Sequence, residues 1–313
     1  MGVRWLVTVR VASIQYMFVV QVLRGGVMER RKMLAVLGAA SAAQVLGAVT
    51  PIVADAMTTG DGLGKLKQSV CRWCYQSMPL DVLCRNVAAM GFKSVELLSE
   101  SDWPVVKQFG LTCAVANGPS TIPVGFNRLD QHDRLVTESV RLLPLIAAAG
   151  IPQMIVFSGN RAGMADAQGL ANCAIGLKRI TPLAEKLGVT IIMELLNSKV
   201  DHKDYMCDHT AWGVELVKRV GSLRFKLLYD VYHMQIMEGD VIRTIRDNHT
   251  HIGHYHTGGV PGRNEIDESQ ELFYPRIMKA LVELGYDGYV AQEFIPARDP
   301  MTSLRQAFAL CNV

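Results

Sequence analysis

The chain has 313 residues, 32 Lys/Arg against 29 Asp/Glu, and seven cysteines. Its positive surplus lies in the first 56 residues, which hold six of the basic side chains and two of the acidic ones, so residues 57–313 carry 26 and 27. That balance removes any charge-based case for nucleic acid or an anionic membrane surface, and an odd cysteine count is no disulfide framework.

Residues 1–56 read as a leader. Arg30 and Arg31 form a twin-arginine pair, an apolar run follows from Met33 to Val49, and Ala54 and Ala56 flank Asp55 as a signal peptidase prefers. The run is too short and too rich in Ala and Gly for a membrane span. The reading is a twin-arginine export signal with a periplasmic destination, Met28 as the true start, and no stable membrane partner beyond the signal. An extra N-terminal helix or an uncleaved anchor is the alternative, and without the signal the protein is cytoplasmic. Residues 1–27 receive no role.

Residues 57–313 alternate strands and helices. Gln68–Cys74 reads as the first strand and Pro79–Met90 as an amphipathic helix ending at Gly91. Lys93–Leu98 is the second strand, with Glu96 in its middle, and Leu111–Asn117 is the third, after a short helix over Trp103–Phe109. A loop containing Gly118, Pro119, Pro123 and Gly125 leads to a helix over 130–149 and then to the strand Gln153–Phe157. Ala167–Leu187 reads as one helix closed by Gly188. The last four strands lie in Val189–Glu194, Phe225–His233, Thr250–His256 and Gly288–Glu293, with helices near His209–Val220, Asp240–Asn248 and Glu271–Leu284. Eight βα units of this kind predict an α/β fold, a single-domain (β/α)₈ TIM barrel, because no Gly-rich dinucleotide fingerprint follows the first strand. Cys71 and Cys74 have redox or zinc spacing, but no second pair completes a zinc site, and buried thiols are the reading preferred.

Each of the last four strands delivers an ionisable side chain near its C-terminal end: Glu194, Asp230, His256 and Glu293, at intervals of 36, 26 and 37 residues. A strand, a helix and two loops take roughly 30 residues, so the four would form a ring on one barrel face. Any one of them could be a polar cap, whereas four in consecutive units point to a metal site. Three carboxylates and one imidazole suit Mg²⁺ or Mn²⁺, with Co²⁺ compatible and Zn²⁺ less well matched. Glu194 and Glu293 would face each other across the ring, one removing a proton α to a carbonyl and the other returning it, through an enediolate. His254 shares the inward face with His256, and ligation and a supporting hydrogen bond both stay open for it. His233 is expected where a loop turns over the site. His132 reads as a helix-surface residue, His209 as a helix start, and His249 and His251 as solvated.

Tyr229–Asp240, Pro261–Glu265 and Leu284–Phe294 resemble the hydroxypyruvate isomerases of the xylose isomerase-like TIM-barrel group, which also holds ketose 3-epimerases and endonuclease IV. The resemblance covers about Lys67 to Pro296. It implies Glu194, Asp230, His256 and Glu293 as metal ligands, Glu194 and Glu293 as the acid–base pair, and His233 and Arg263 as substrate-binding residues. Glu96, Asn197, Lys199 and His254 join them as candidates lining the substrate site. The third ligand is imidazole here, as in the epimerases, where the isomerases have a His-Ile-Gln-type segment. The expected activity is aldose–ketose-type isomerisation of hydroxypyruvate to tartronate semialdehyde or of a related sugar. Alternatives are a ketose or keto-sugar 3-epimerase and an exported sugar-binding barrel without turnover. Phosphodiester hydrolysis is disfavoured, since it calls for several metals and more His and Asp ligands. A small hydroxycarbonyl or sugar is the expected partner, nucleic acid is not, and an oligomer is compatible.

Overall fold

The structure is a computed structural model that describes residues 64–313 and, in the N-terminal unit, the backbone of two strands. Those strands, Arg4–Val11 and Ile14–Gln21, pair antiparallel in a register from Arg4↔Gln21 to Val11↔Ile14. The twin-arginine pair, the apolar run and the Ala54–Ala56 segment of the expected leader lie outside the described residues.

Residues 64–313 contain eight parallel strands: β1 Lys67–Cys71, β2 Ser94–Glu96, β3 Val115–Ala116, β4 Gln153–Val156, β5 Thr190–Leu195, β6 Phe225–Asp230, β7 Ile252–Thr257 and β8 Tyr289–Gln292. They are hydrogen-bonded in the order β2-β1-β8-β7-β6-β5-β4-β3. Two isolated parallel bridges, Ser94↔Thr112 and Leu98↔Ala116, join the two ends and nearly close the barrel. All eight expected strands are present. The third is much shorter than expected, and Gly118 follows it where a Cβ would lie 1.9 Å from the Ile155 carbonyl oxygen, so the backbones of neighbouring strands approach too closely there for any side chain.

Alternation along the strands sorts their side chains. Ile191, Met193, Leu227, Tyr229, Tyr255 and Val290 face outward into the large core shared with the helices. Ile192 and Leu228 face inward and, with Ala114, Val115 and Ile155, form a separate apolar plug inside the barrel. Burying each Ile or Leu there stabilises the fold by roughly 1.5–3 kcal/mol. Glu194 and Asp230 lie two residues past Ile192 and Leu228, so they share the inward face just above the plug.

The helices are α1 Leu80–Met90, α2 Trp103–Gln108, α3 His132–Ala148, α4 Asp166–Lys178, α5 Thr181–Leu187, α6 Thr210–Val220, α7 Val231–Met237, α8 Val241–Asn248, α9 Tyr274–Glu283 and α10 Pro300–Cys311. Four local expectations are corrected. The single helix over 167–187 is two, because Pro182 has no amide hydrogen and its ring would clash with the Lys178 carbonyl in a continuous helix. The first strand stops at Cys71 and a 3₁₀ turn carries Arg72–Tyr75. His233 lies on helix α7 rather than in a loop, since Asp230 caps that helix by accepting from the backbone N–H of Tyr232 and His233 at 2.8 and 3.2 Å. His132 is buried, its Nε2 2.8 Å from the Phe126 carbonyl. Among the described residues no helix is long and apolar enough to cross a membrane.

Candidate active site

Glu194, Asp230 and His256 come from the ends of β5, β6 and β7, and Glu293 directly follows β8. The β6–β7 register sets Asp230 beside His256, and the β7–β8 register sets His256 beside Ala291, two residues before Glu293. One potential ligand atom from each of the four residues falls within 4.8 Å of all the others, and all four side chains are buried. At that spacing each pair of ionised carboxylates repels by about 3.5 kcal/mol at an effective dielectric of about 20. Glu293 Oε2 lies 2.6 Å and Glu194 Oε1 3.3 Å from His256 Nδ1. Carboxylates buried this close together need positive charge among them. The donor set, three carboxylates and one imidazole, fits a hard divalent cation.

Arg263 supplies one such charge. Its Nη2 is 2.7 Å from Asp230 Oδ2 and 2.5 Å from Glu293 Oε2, and its Nε donates to the Glu293 carbonyl at 3.1 Å. The Arg263 backbone is left-handed, with φ 56°, and is pinned by its N–H on the Gly259 carbonyl and its carbonyl under the Ile295 N–H. A strained conformation held by so many bonds is a mark of a functional position. Burial pushes the Glu194 carboxyl up, and the neighbouring Glu293 adds to that. Asp230 is raised to about 7 by burial, against the pull of Arg263. Burial opposes ionisation of Glu293 too, but His256, Arg263 and the Trp73 hydrogen bond outweigh it and hold that carboxyl well below its ordinary range.

A cavity of about 300 Å³ opens over this cluster. Glu194, Glu293, Arg263, His233, His202 and Asn117 give it a polar side, and Trp73, Leu97, Ile122, Ile155, Phe157 and Leu196 an apolar one. Of the four clustered groups, Glu194 and Glu293 reach the cavity, whereas Asp230 and His256 form the floor beneath it. His233 lies between two donors, with Asn197 Nδ2 2.7 Å from its Nδ1 and Arg263 Nη1 2.5 Å from its Nε2. Burial, and then the charge of Arg263, push this imidazole well below its usual range.

The remaining expected site residues separate. Asn197 stands behind His233, its Oδ1 accepting from the backbone of Val200 and Asp201. Lys199 points elsewhere, its Nζ donating to the Ile236 and Met237 carbonyls at the end of α7. Glu96 and His254 lie under the floor, where Glu96 Oε1 is 2.8 Å from His254 Nε2 and 2.9 Å from His256 Nε2. Cys71 and Cys74 are free thiols, Cys71 buried against His256. Between them stands a residue not singled out by its sequence setting: Trp73, whose indole N–H donates to Glu293 Oε1 at 2.6 Å. His202, which also lines the cavity, carried no sequence signal beyond its closeness to Glu194 and Asn197.

Eight parallel strands around a buried carboxylate–imidazole cluster at their C-terminal ends define a TIM barrel with a candidate metal-assisted site. The chain belongs to the xylose isomerase-like TIM barrel family, whose model matches residues 84–311. A 2-oxo-tetronate isomerase of Cupriavidus necator is 38% identical over 109 residues, 35% of this chain and 41% of that protein. A D-psicose 3-epimerase of Ruminiclostridium cellulolyticum is 32% identical over 121 residues, 37% of this chain and 38% of that protein. The matched stretches thus span about two fifths of these relatives. Among solved structures, a family 2 AP endonuclease from Brucella melitensis shares the fold with a TM-score of 0.67 at 24% identity, over 76% of this chain and 97% of that one.

Proposed function

We propose that the chain is a divalent-metal-dependent isomerase of small hydroxycarbonyl compounds, acting by proton transfer at the carbon next to a carbonyl. The observation that carries this reading is the placement of Glu194 and Glu293: both belong to the buried cluster, and both also open onto the cavity. Glu194, Asp230, His256 and Glu293 would hold the ion, with Mg²⁺ or Mn²⁺ best matched to their donor atoms. When bound, the ion supplies a charge that offsets the carboxylates and polarises a carbonyl. One of the two glutamates removes the α-proton, leaving an enediolate, the other delivers a proton to the adjacent carbon, and the hydroxyl proton passes to the former carbonyl oxygen. Arg263 and His233 hold substrate oxygens, and the wall of Leu97, Ile155, Phe157 and Leu196 shields the carbon skeleton from water. The likeness of Tyr229–Asp240 to hydroxypyruvate isomerases and the 2-oxo-tetronate isomerase relative make a short hydroxylated 2-oxo acid the first substrate to test. For hydroxypyruvate the product would be tartronate semialdehyde.

A second reading has its own support. Imidazole at position 256 and the D-psicose 3-epimerase relative favour a ketose 3-epimerase, in which the second glutamate returns the proton to the opposite face of the same carbon. Incubating Mn²⁺-loaded protein with hydroxypyruvate and with four- to six-carbon ketoses, then identifying products, separates the two readings. Turnover lost on chelation and restored by Mn²⁺ is expected, and turnover indifferent to metal would overturn the proposal. Export through the twin-arginine pair at Arg30 and Arg31 is proposed alongside, and N-terminal sequencing of the native protein tests it: a retained Arg30–Arg31 segment would contradict it.

A further inference from the structure

Beneath the cavity floor lies a second buried polar cluster that the proton-transfer chemistry leaves unused. Glu96 ends β2, and its side chain crosses the barrel interior to the inward face of β7. There one oxygen, Oε1, lies 2.8 Å from His254 Nε2 and 2.9 Å from His256 Nε2. Glu96, His254 and His256 are fully buried. The Cys71 thiol closes the group from β1, its Sγ 3.9 Å from Glu96 Oε1 and 3.7 Å from His256 Nε2. A carboxylate sealed among apolar strands costs several kcal/mol unless it is hydrogen-bonded, and the two imidazole N–H groups are the donors in reach that offset that cost.

Both nitrogens of His256 are thereby committed. Nε2 faces Glu96, and Nδ1 faces Glu194 and Glu293. A neutral imidazole carries one N–H and one lone pair. With a cation held in the cluster, the Nδ1 lone pair would face it and the one remaining ring proton would sit on Nε2, where the Glu96 carboxylate accepts it. We infer that Glu96 is the positioning residue of this site: it fixes the His256 tautomer and ring orientation, and His254 braces Glu96 in turn without ligating. The spacing of His254 and His256 on one strand left open which of them binds the ion, and the His256 Nδ1 facing Glu194 and Glu293 decides for His256. Hydrogen-bonded carboxylates behind metal-bound histidines typically change metal affinity 10–100-fold.

This inference rests on Glu194, Asp230, His256 and Glu293 being the ion site. The test measures Mn²⁺ affinity by chelator competition for the full chain, for Glu96→Gln and for Glu96→Asp. Glu96→Gln should weaken Mn²⁺ binding about 10–100-fold with circular dichroism unchanged, and Glu96→Asp, which keeps the charge, should recover part of the loss. Equal affinity in folded Glu96→Gln would overturn the positioning role. Because a substitution at a buried charge can prevent folding, the unaltered chain supplies an independent measurement: ¹⁵N NMR of its histidine side chains in the Mg²⁺-loaded protein. His256 protonated at Nε2 supports the inference, and His256 protonated at Nδ1 overturns it. A parent chain that binds no Mn²⁺ would remove the proposed function, and this inference with it. A parent that binds Mn²⁺ equally well as Glu96→Gln removes the inference alone.

Discussion

The indole N–H of Trp73 donates to Glu293 Oε1 at 2.6 Å, while Glu293 Oε2 faces His256 and Arg263. One oxygen of this carboxylate is therefore oriented from the cavity mouth and the other is committed to the buried cluster. A hydrogen bond to a charged group contributes about 1.5–3 kcal/mol. Trp73→Phe keeps the aromatic wall and removes the donor, so kcat should fall about 10–100-fold while bound Mn²⁺ stays near the parent level. Steady-state kinetics beside metal analysis checks this, and an unchanged kcat would free Glu293 from the indole.

Replacing Glu293 by Gln retains an oxygen ligand but removes a group able to take or give a proton. Positioned acid–base groups contribute about 10²–10⁴-fold, and a loss in that range is expected, with metal binding weakened rather than abolished. Full activity in Glu293→Gln would take Glu293 out of the proton path.

Gly118 makes the sharpest prediction about the fold. An added Cβ would overlap the Ile155 carbonyl oxygen at 1.9 Å, an obstacle of backbone rather than of a movable side chain. Gly118→Ala should destabilise the barrel by about 3 kcal/mol or more, lowering Tm by about 10 °C for a domain of this size. Thermal melts of the two proteins decide the point, and a shift of only a degree or two would show that β3 and β4 can separate cheaply.

Acid sensitivity should have a component in the loop after β7. Burial alone would raise the Asp267 carboxyl, but hydrogen bonds from Ser269 and Arg298 bring it down to about 2. A carboxyl depressed on folding contributes stability that is present above its unfolded pKa of about 3.9 and is lost as pH falls toward its folded value. Asp267→Asn should therefore be less stable than the parent near neutrality, and the gap should close as pH falls from about 4 to about 2. Urea unfolding across that interval measures the gap, and a pH-independent difference would point to packing instead.

The barrel was legible because its strands are short apolar runs that end in charge. Ile192 before Glu194 and Leu228 before Asp230 place an apolar plug residue and a candidate ligand on the same inward face. Boundaries were harder. Asp230 doubles as a helix cap, so α7 begins where a loop was expected, and Pro182 splits a helix whose apolar pattern runs through the break. Trp73 was hidden inside a spacing that draws the eye to Cys71 and Cys74. Lys199, near Glu194 in sequence, turns away to bind the carbonyls that end α7. Glu96 meets His256 across 160 residues of chain, and no local pattern reports such a contact.

Exchange of the substrate α-proton in D₂O tests the central claim most directly. Hydroxypyruvate and a panel of ketoses would be incubated with the chain in the presence and absence of Mn²⁺, the ion removed, and deuterium located by NMR. Metal-dependent deuterium is expected at the carbon next to the carbonyl of at least one substrate, and is lost in Glu293→Gln. Product formed with metal but with all carbon-bound hydrogen retained from the substrate, as direct hydride transfer would give, contradicts the two-glutamate proton path.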